Sequence, residues 1–411
     1  MTTLSRVPDN PGQPRTHAFV IGVGAYRHLL GGTRPNRNDS LSSSLGQLSS
    51  PPVSARHFAD WLLRDFRHPT AELGTVELVL SERLPSETEL DSGTPVFVEY
   101  VAPDDTQTWQ IEAATIDNLE AAYGRWRNRC DEDQRNVAMF YYCGHGMLLQ
   151  DDHILLAEDF GAKPLKPFDA AFNFNAMRRG LEACSAGLQT FFVDACNNLP
   201  VSNLDIRESG VKIFEATSSM PAVPSPKGLS LDATAPGYSA YGDTGQVSRF
   251  TEALVLCLNG LAAKRRSGGP WVVNSYRLHE AIVDVMEYLH ETKGGYTQVP
   301  TVHWAPGNGV LHECDQAPLV PVVVRLMPDD AALAASLALG TPEDAVPRWQ
   351  CAAGAGSGPS GAGWVIDGVP AGKYALRADF PRGRFKPHTV EVLIEPPGPH
   401  PDPYPITCEA I

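Results

Sequence analysis

Hydrophobic and polar positions along the chain form two kinds of pattern, which are short apolar runs and longer amphipathic stretches. The apolar runs are typical of strands buried on both faces, and they are HAFVIGVGAY (17–26), TVELVL (75–80), NVAMFYYC (136–143), DHILLAED (152–159), LQTFFVDAC (188–196) and VKIFEATS (211–218). The amphipathic stretches repeat at helical spacing, and they are SARHFADWLLRDF (54–66), IDNLEAAYGRWRNRC (116–130) and FNAMRRGLEAC (174–184). Strands that alternate with helices predict an α/β fold with a mostly parallel sheet covered on both faces.

The same pattern predicts where the chain divides. A segment rich in Ser, Pro, Gly and Ala (219–248) has no periodicity, and a loop this long inside a compact domain is usually functional or disordered. From about Pro318 the sequence pattern changes to that of short strands with alternating polarity, separated by Pro and Gly turns. The predicted parts are a flexible, polar leader (1–16), an α/β domain (17–315) that contains the inter-subunit-like loop (219–248), and an all-β sandwich (318–411).

Composition narrows the class of protein. Of the 411 residues, 43% are hydrophobic, which is typical of a globular chain, and no apolar stretch approaches the length of a membrane span. The first sixteen residues lack the apolar segment of a secretory signal. The 8 cysteines are dispersed without a C-x-x-C pair, so we expect free thiols in a reducing cytoplasm. A formal charge of −15 argues against nucleic-acid binding.

Two of the apolar runs end in residues that carry chemistry. His145 stands between Gly144 and Gly146 directly after one run, and Cys196 ends another. If the two strands are parallel neighbours, both side chains lie at the carboxyl edge of the sheet, where open α/β sheets place their sites. An imidazole favours the thiolate form of a neighbouring thiol and can then protonate a leaving amine. We therefore predict His145 and Cys196 as a catalytic pair, with the Gly146 amide in the oxyanion hole and both glycines leaving room for a substrate backbone.

The motifs YYCGHG (141–146) and DAC (194–196), about fifty residues apart, resemble those of the caspase and metacaspase group of cysteine peptidases, family C14 of clan CD. The similarity extends over residues 14–315, and it includes IGVGAY in the first strand, SARHFADWLL in the first helix and SRFTEAL in a later helix. It implies a three-layer αβα sandwich in which His145 and Cys196 form the catalytic dyad. In the C-terminal region, GVPAGKYALRADF resembles the repeat ends of transthyretin-like and carboxypeptidase-regulatory-like β-sandwiches.

The resemblance also implies a specificity. Metacaspases share the D-x-C pattern, and their aspartate lines a pocket for Arg or Lys, whereas animal caspases have Gln there and accept an acidic P1 residue. Asp194 is therefore predicted to bind a basic P1 side chain. The second metacaspase carboxylate, in an N-D-A stretch, has no counterpart in QLSSPPVSA (47–55). Because caspase-like zymogens are often nicked between their two halves, Lys227 is a candidate for self-cleavage. We expect no cofactor, with activation by calcium left open.

The resemblance and the Ala-, Gly-, Pro- and Arg-rich composition together suggest a bacterial peptidase. Such peptidases often serve in antiphage defence or regulated cell death, where they cleave a protein encoded nearby, such as a pore-former or another protease. The β-sandwich carries no sign of catalysis, and we expect it to bind a docking partner or to stabilise the chain.

Other interpretations of the same residues stay open at the level of sequence. His145 and Cys196 could be buried structural residues, or they could bind zinc together with Cys143, although the spacing shows no fourth ligand. Asp194 could cap backbone amides at a strand end, and Lys227 could be an exposed linker lysine. The whole chain could be a catalytically silent scaffold, or a peptidase with acidic P1 specificity.

Overall fold

The structure is a computed structural model, and it describes residues 3–5, 12–37, 42, 44–103, 105–149, 151–197, 210–215, 226–235, 237–238, 240, 242–295, 298–342, 346–352, 363–381, 383–398 and 404–411. The helices are α1 (Ser50–Arg64), α2 (Glu87–Ser92), α3 (Ile116–Cys130), α4 (Phe174–Leu181), α5 (Arg249–Leu256), α6 (Ser275–Lys293) and α7 (Asp329–Ala334), with a 3₁₀ turn at Pro167–Ala170 and a π-helical turn at Cys257–Leu261. The strands are β1 (Thr3–Ser5), β2 (Arg15–Val23), β3 (Glu72–Ser81), β4 (Phe97–Val101), β5 (Thr108–Glu112), β6 (Val137–Gly144), β7 (Gly146–Leu149), β8 (Asp152–Leu156), β9 (Ala171–Asn173), β10 (Leu188–Ala195), β11 (Lys227–Asp232), β12 (Ala263–Arg265), β13 (Trp271–Asn274), β14 (Thr301–Gly307), β15 (Val310–Cys314), β16 (Leu319–Met327), β17 (Ser336–Gly340), β18 (Trp349–Cys351), β19 (Gly363–Pro370), β20 (Gly372–Asp379), β21 (His388–Ile394) and β22 (Tyr404–Thr407).

A seven-stranded sheet in the order β1-β3-β2-β6-β10-β11-β14 forms the centre of the fold. The five inner strands run parallel to one another, while β1 and β14 pair antiparallel at the two edges. β2, β6 and β10 are buried along almost their whole length, which explains why their sequences read as continuous apolar runs. The predicted α/β fold with a mostly parallel sheet is confirmed.

Helices cover both faces of this sheet. On one face, the ring of Phe140 lies 6.4 Å from that of Trp126 in α3. Tyr141, the next residue of β6, points to the other face and stacks on Phe58 of α1 with 4.6 Å between the ring centroids. Because successive side chains of a strand point to opposite faces, these two contacts define an αβα arrangement of three layers.

Helix α1 begins four residues before the helix that periodicity predicts over 54–66. Its first turn contains Pro51 and Pro52. Proline is tolerated there because the first backbone N–H groups of a helix have no partner within the helix. The early start matters for the site, because it places Gln47–Pro51 beside the carboxyl ends of β6 and β10.

Two segments differ from their predicted structure near the centre of the sheet. Thr3–Ser5 pairs with β3 and Arg15 begins β2, so these parts of the predicted flexible leader are built into the sheet, while residues 1–2 and 6–11 lie outside the described residues. The predicted strand over 211–218 is wrong in its described part, where Lys212 makes one isolated bridge to Phe172. The ring of Phe214 instead stacks on that of Phe172, 4.8 Å away, so apolar packing outside the sheet explains this run.

The strand that occupies the predicted position comes from the segment expected to be a loop. β11 (Lys227–Asp232) lies within 219–248 and pairs parallel with β10 from Leu188 to Val193. Its Leu229 and Leu231 are fully buried. The prediction failed because the strand is only six residues long and its apolar positions are separated by Gly and Ser, amid prolines that dominate the surrounding composition.

The chain divides into two compact units, one formed by residues 1–255 and 298–310 and the other by residues 256–297 and 311–411. This division differs from the predicted boundary at 315–318, because the chain leaves the central sheet after α5 and returns to it only for β14.

The second unit carries three sheets, in the orders β12-β13-β15, β19-β16-β22 and β18-β17-β20-β21. The C-terminal region predicted as all-β is therefore built mainly of strands, with the short helix α7 as an addition. In the part of the chain that the structure describes, no helix has the length and apolar character needed to cross a membrane.

Candidate active site

The carboxyl ends of β6 and β10 meet at one edge of the central sheet. The two strands pair parallel from Val137–Leu188 to Gly144–Ala195, so His145 and Cys196 are the next residue on each strand. Both line a cleft of about 240 Å³. The cleft is lined by three groups of residues, which are Gln47–Pro51, Cys143–His145 with Asp194 and Cys196, and Ala240, Gly242, Thr244 and Ser248. The structure thus brings together the two residues that the sequence predicts as a pair.

The imidazole of His145 is held in place by three contacts. Its Nε2 lies 2.9 Å from the carbonyl oxygen of Gly46. Its backbone N–H donates to the hydroxyl of Tyr26 at 2.8 Å, and the Tyr26 ring lies 4.9 Å from the imidazole. Burial lowers the pKa of His145, and the hydrogen bond to Gly46 opposes that shift in part. The imidazole is therefore biased toward the neutral form, which a general base needs.

The contact with Gly46 also selects which ring nitrogen of His145 carries the proton. A carbonyl oxygen only accepts, so Nε2 of His145 carries the proton in this contact. In the neutral ring Nδ1 is then the nitrogen with a free lone pair. The carbonyl of Gly46 thus holds the imidazole in one orientation, and a backbone acceptor of this kind has no side-chain signature in the sequence.

Cys196 is partly exposed at the end of β10. Its thiol is placed to donate to the carbonyl oxygen of Ala240, with 3.8 Å between Sγ and that oxygen. Its own carbonyl oxygen lies 3.0 Å from Nε2 of His153. The next residue, Asn197, donates its backbone N–H to the carbonyl of Tyr238 at 3.1 Å, which ties the end of β10 to Tyr238.

The glycines on either side of His145 are required by atoms of the chain itself. A Cβ at position 144 would lie 2.7 Å from the hydroxyl oxygen of Tyr142, and one at position 146 would lie 2.8 Å from the Cβ of Ala195. Atoms of the chain itself therefore account for both glycines, and the expectation that they also leave room for a substrate backbone stays a prediction. Their missing side chains give room to neighbouring side chains and to the end of β10.

Asp194 lies in the same cleft and is 4% exposed, with its carboxyl group held by hydroxyl groups. Oδ2 accepts from the hydroxyl of Thr251 at 2.7 Å and, more closely, from that of Ser248. Burial raises the pKa of Asp194, and the bonds from Ser248, Thr251 and Cys143 act in the opposite direction. Asp194 does not cap backbone amides in these bonds, because all three partners are side chains.

Sequence reasoning missed the polar contribution of Gln47–Pro51 to the cleft. This part of QLSSPPVSA carries no acid, but Ser50 lines the cleft with Asp194, and its buried Oγ has no hydrogen-bond partner among the described residues. A stretch that lacks the expected carboxylate gave no reason to single out a serine. Its position at the first turn of α1 is what brings it to the site.

Lys227 lies away from this cleft. It begins β11 and pairs with Leu188, at the opposite end of β10 from Cys196, and its backbone N–H donates to Gly187 at 3.1 Å. A residue whose backbone is paired inside a sheet is a poor candidate for cleavage. The candidate self-cleavage site at Lys227 is therefore not supported, and residues 216–225, just before it, lie outside the described residues.

The zinc interpretation finds no support in the described residues. Cys143, His145 and Cys196 all line the cleft, but no group of three or more His, Cys, Asp or Glu side chains in this part of the chain is arranged to hold a metal ion. The thiol of Cys143 is instead engaged with the carboxyl group of Asp194, and burial raises its pKa well above the usual range.

Comparison with known proteins identifies the family of this chain. The sequence model of the caspase domain matches residues 15–305. An uncharacterised protein of Sinorhizobium fredii, y4kE, is 27% identical over 219 residues, which are 52% of this chain and 62% of that protein's length. Caspase-1 from Spodoptera frugiperda is similar with a TM-score of 0.37 and 14% identity, over 74% of this chain and 96% of the caspase chain. Protein GSU0716 from Geobacter sulfurreducens is similar with a TM-score of 0.40 and 13% identity, over 72% of this chain and 94% of its own. Because the family model spans well over half of the sequence, the chain belongs to the caspase domain family of peptidases.

Proposed function

We propose that this chain is a cysteine endopeptidase in which Cys196 is the nucleophile and His145 the general base and acid. The proposal is supported above all by one observation, that both residues follow adjacent parallel strands and line one cleft. Nδ1 of His145 takes the thiol proton, and Sγ of Cys196 attacks the carbonyl carbon of the substrate. The imidazolium then gives its proton to the leaving amine, and water hydrolyses the thioester and regenerates the thiol.

The oxyanion formed in this reaction needs hydrogen-bond donors, and we propose the backbone N–H groups of Gly146 and Cys196. Leu156 donates to the carbonyl of His145 at 3.1 Å, so residues 145 and 156, at the end of the β7–β8 hairpin, keep one of the two bonds of a hydrogen-bonded pair, while the N–H of His145 donates to Tyr26. In an antiparallel ladder such pairs alternate with non-hydrogen-bonded pairs. Gly146 and Leu155 therefore form the latter kind, and the Gly146 N–H faces away from β8, as a donor to a bound substrate must.

We further propose that Asp194 selects Arg or Lys at the P1 position. Its carboxyl group is buried in the cleft among hydroxyl groups, and this burial raises its pKa. A cation paired with it there would stabilise the ionised form and lower that pKa. Ser50, with a buried hydroxyl oxygen that lacks a partner among the described residues, supplies a further polar contact on the same wall. A basic side chain therefore fits this chemistry better than an acidic one, which would face Asp194.

Fluorogenic peptides ending in Arg, Lys or Asp test both proposals. We expect the wild-type chain to cleave after Arg or Lys, with or without added calcium, and Cys196→Ala to show no cleavage. Asp194→Asn should lose activity mainly on the basic peptides, whereas Asp243→Asn, which changes an exposed carboxylate outside the cleft lining, should behave like wild type. Failure of the wild type to cleave any peptide, even after limited proteolysis, would favour a silent scaffold. Cleavage after Asp would contradict only the role of Asp194.

The natural substrate of such a peptidase is a protein, and a role in bacterial defence, with a target encoded nearby, is part of this proposal. Infection of cells that carry the wild-type chain or Cys196→Ala tests it. Protection from phage by the wild type alone would support the role, and equal protection by both would contradict it.

A further inference from the structure

A buried chain of hydrogen bonds lies behind Cys196, on residues that the proposed reaction does not use. Nε2 of His153, in β8, lies 3.0 Å from the carbonyl oxygen of Cys196, and Nδ1 of the same ring lies 3.1 Å from Oδ2 of Asp232. Nε2 of His303, in β14, lies 3.3 Å from the same Oδ2. Three separate strands thus converge on the backbone of one residue.

The carboxylate in this chain depends on its two imidazoles. The side chains of His153 and Asp232 are 3% and 2% exposed, and Oδ1 of Asp232 is buried without a hydrogen-bond partner among the described residues. Burial raises the pKa of Asp232, but the bonds from His153 and His303 outweigh it, so the pKa is lowered overall. The charge of Arg178 also acts on Asp232 and on His303.

The hydrogen bond to Cys196 defines one proton on His153. A carbonyl oxygen only accepts, so Nε2 of His153 donates to the carbonyl of Cys196. Nδ1 of the same ring meets the carboxyl group of Asp232. The ring therefore links the backbone of Cys196 to Asp232 through its two nitrogens.

The hydrogen bond between His153 and Cys196 lies directly beside Gly146. A Cβ at position 146 would lie 2.8 Å from Nε2 of His153 and 2.8 Å from the carbonyl oxygen of Cys196. The same short span therefore joins the residue after His145, the hairpin strand β8 and the end of β10. The distance between the two halves of the proposed catalytic pair is defined at this junction.

We propose that His153, held by Asp232 and His303, is a positioning residue that fixes the backbone of Cys196 and hence the direction of its thiol. The kinetic part of this inference rests on the peptidase activity proposed above. A misplacement of the nucleophile by about 1 Å is enough to lower kcat by about 100-fold. Binding of the substrate would change little, because His153 does not line the cleft.

The test compares four variants with the wild type on the Arg-terminated peptide. We expect His153→Leu to lower kcat by about 100-fold with KM nearly unchanged, and His153→Gln, whose amide can still donate to Cys196, to restore most of that loss. Asp232→Asn should fall between them. His17→Gln is the matched control, since His17 is a buried histidine with a hydrogen bond to Thr75 at the other end of the sheet, and it should keep wild-type kcat.

A second readout separates this inference from the peptidase proposal. The rate of Cys196 alkylation by iodoacetamide, followed by peptide mapping, should fall about tenfold in His153→Leu, because a displaced thiol loses the neighbouring imidazole that favours its thiolate form. If no variant cleaves peptide but alkylation slows in His153→Leu and not in His17→Gln, the peptidase proposal fails and the positioning role stands. If the wild type cleaves and His153→Leu matches it in kcat, the positioning role is wrong. Should His153→Leu not fold, Asp232→Asn replaces it, and wild-type rates of cleavage and alkylation in that variant would contradict the positioning role.

Discussion

Replacing Gly146 by alanine is the sharpest single test of how the two halves of the site fit together. The added Cβ would lie 2.8 Å from three atoms, the Cβ of Ala195, the carbonyl oxygen of Cys196 and Nε2 of His153. Carbon atoms pack best at about 3.5–4.0 Å, so β7 and the end of β10 must separate by about 0.7–1.2 Å. Ala195 and His153 are both buried, so neither can move into solvent.

Two measurable losses follow from this separation. Forcing a methyl group into a filled site costs about 1–3 kcal/mol of the free energy of unfolding. Each kcal/mol lowers Tm by about 2–4 °C in a domain of this size. A shift of about 1 Å between His145 and Cys196 should lower kcat on the Arg-terminated peptide by about 100-fold.

Gly124→Ala is the matched control for this substitution. Gly124 lies inside α3, and a Cβ there would meet nothing within 4 Å. Alanine should therefore stabilise the helix by about 0.5–1 kcal/mol and leave cleavage unchanged. Thermal denaturation and initial rates are measured for both variants. If Gly146→Ala keeps wild-type Tm and kcat, then the close approach of the two strand ends does not define the geometry of the site.

Three further expectations concern the sheet and the base. Glu77 is fully buried and forms ion pairs with the partly exposed Arg125 and Arg129. Because breaking a buried ion pair is costly, Glu77→Gln should lower the free energy of unfolding, measured in urea, by about 3 kcal/mol. A loss under about 1 kcal/mol would contradict this. Burial lowers the pKa of His145, and a general base must be unprotonated to act. The fall of kcat/KM on acidification should therefore have its midpoint below pH of about 6.5. A midpoint above that value would mean that another group controls the rate. Lys227→Ala should leave any pattern of self-cleavage unchanged on gels, because the backbone of Lys227 is paired in β11, and loss of a fragment would show that the strand opens.

The parts of the site that could be predicted are the residues that follow continuous apolar runs of the sequence. β6 and β10 are buried on both faces, so their sequences mark them as core strands and mark His145 and Cys196 as the residues at their ends. Parallel pairing then brings the two side chains to one edge without any further information. Helices follow β2, precede β6 and precede β10 along the chain, and such crossovers are the usual connection between parallel strands.

The parts that could not be predicted depend on atoms without a sequence signature or on distant pairings. The carbonyl of Gly46 orients His145, and a backbone acceptor looks the same at every residue. His153 and Asp232 are 79 positions apart along the chain, and each alone is an ordinary residue at a strand. The short strand β11 was hidden among prolines and glycines, so the predicted sheet lacked the element that carries Asp232.

The route of the chain after α5 affects how the sheet can be completed. β14 is synthesised some seventy residues after β11, once residues 256–297 of the other compact unit have emerged. Until then β11 presents an open row of backbone donors and acceptors, the kind of edge on which chains associate wrongly. A protein cut short before Thr301 would keep both His145 and Cys196, yet it would expose that edge and lose His303 with it. Aggregation of such a fragment would reflect the missing edge strand and would say nothing about the reactivity of the thiol.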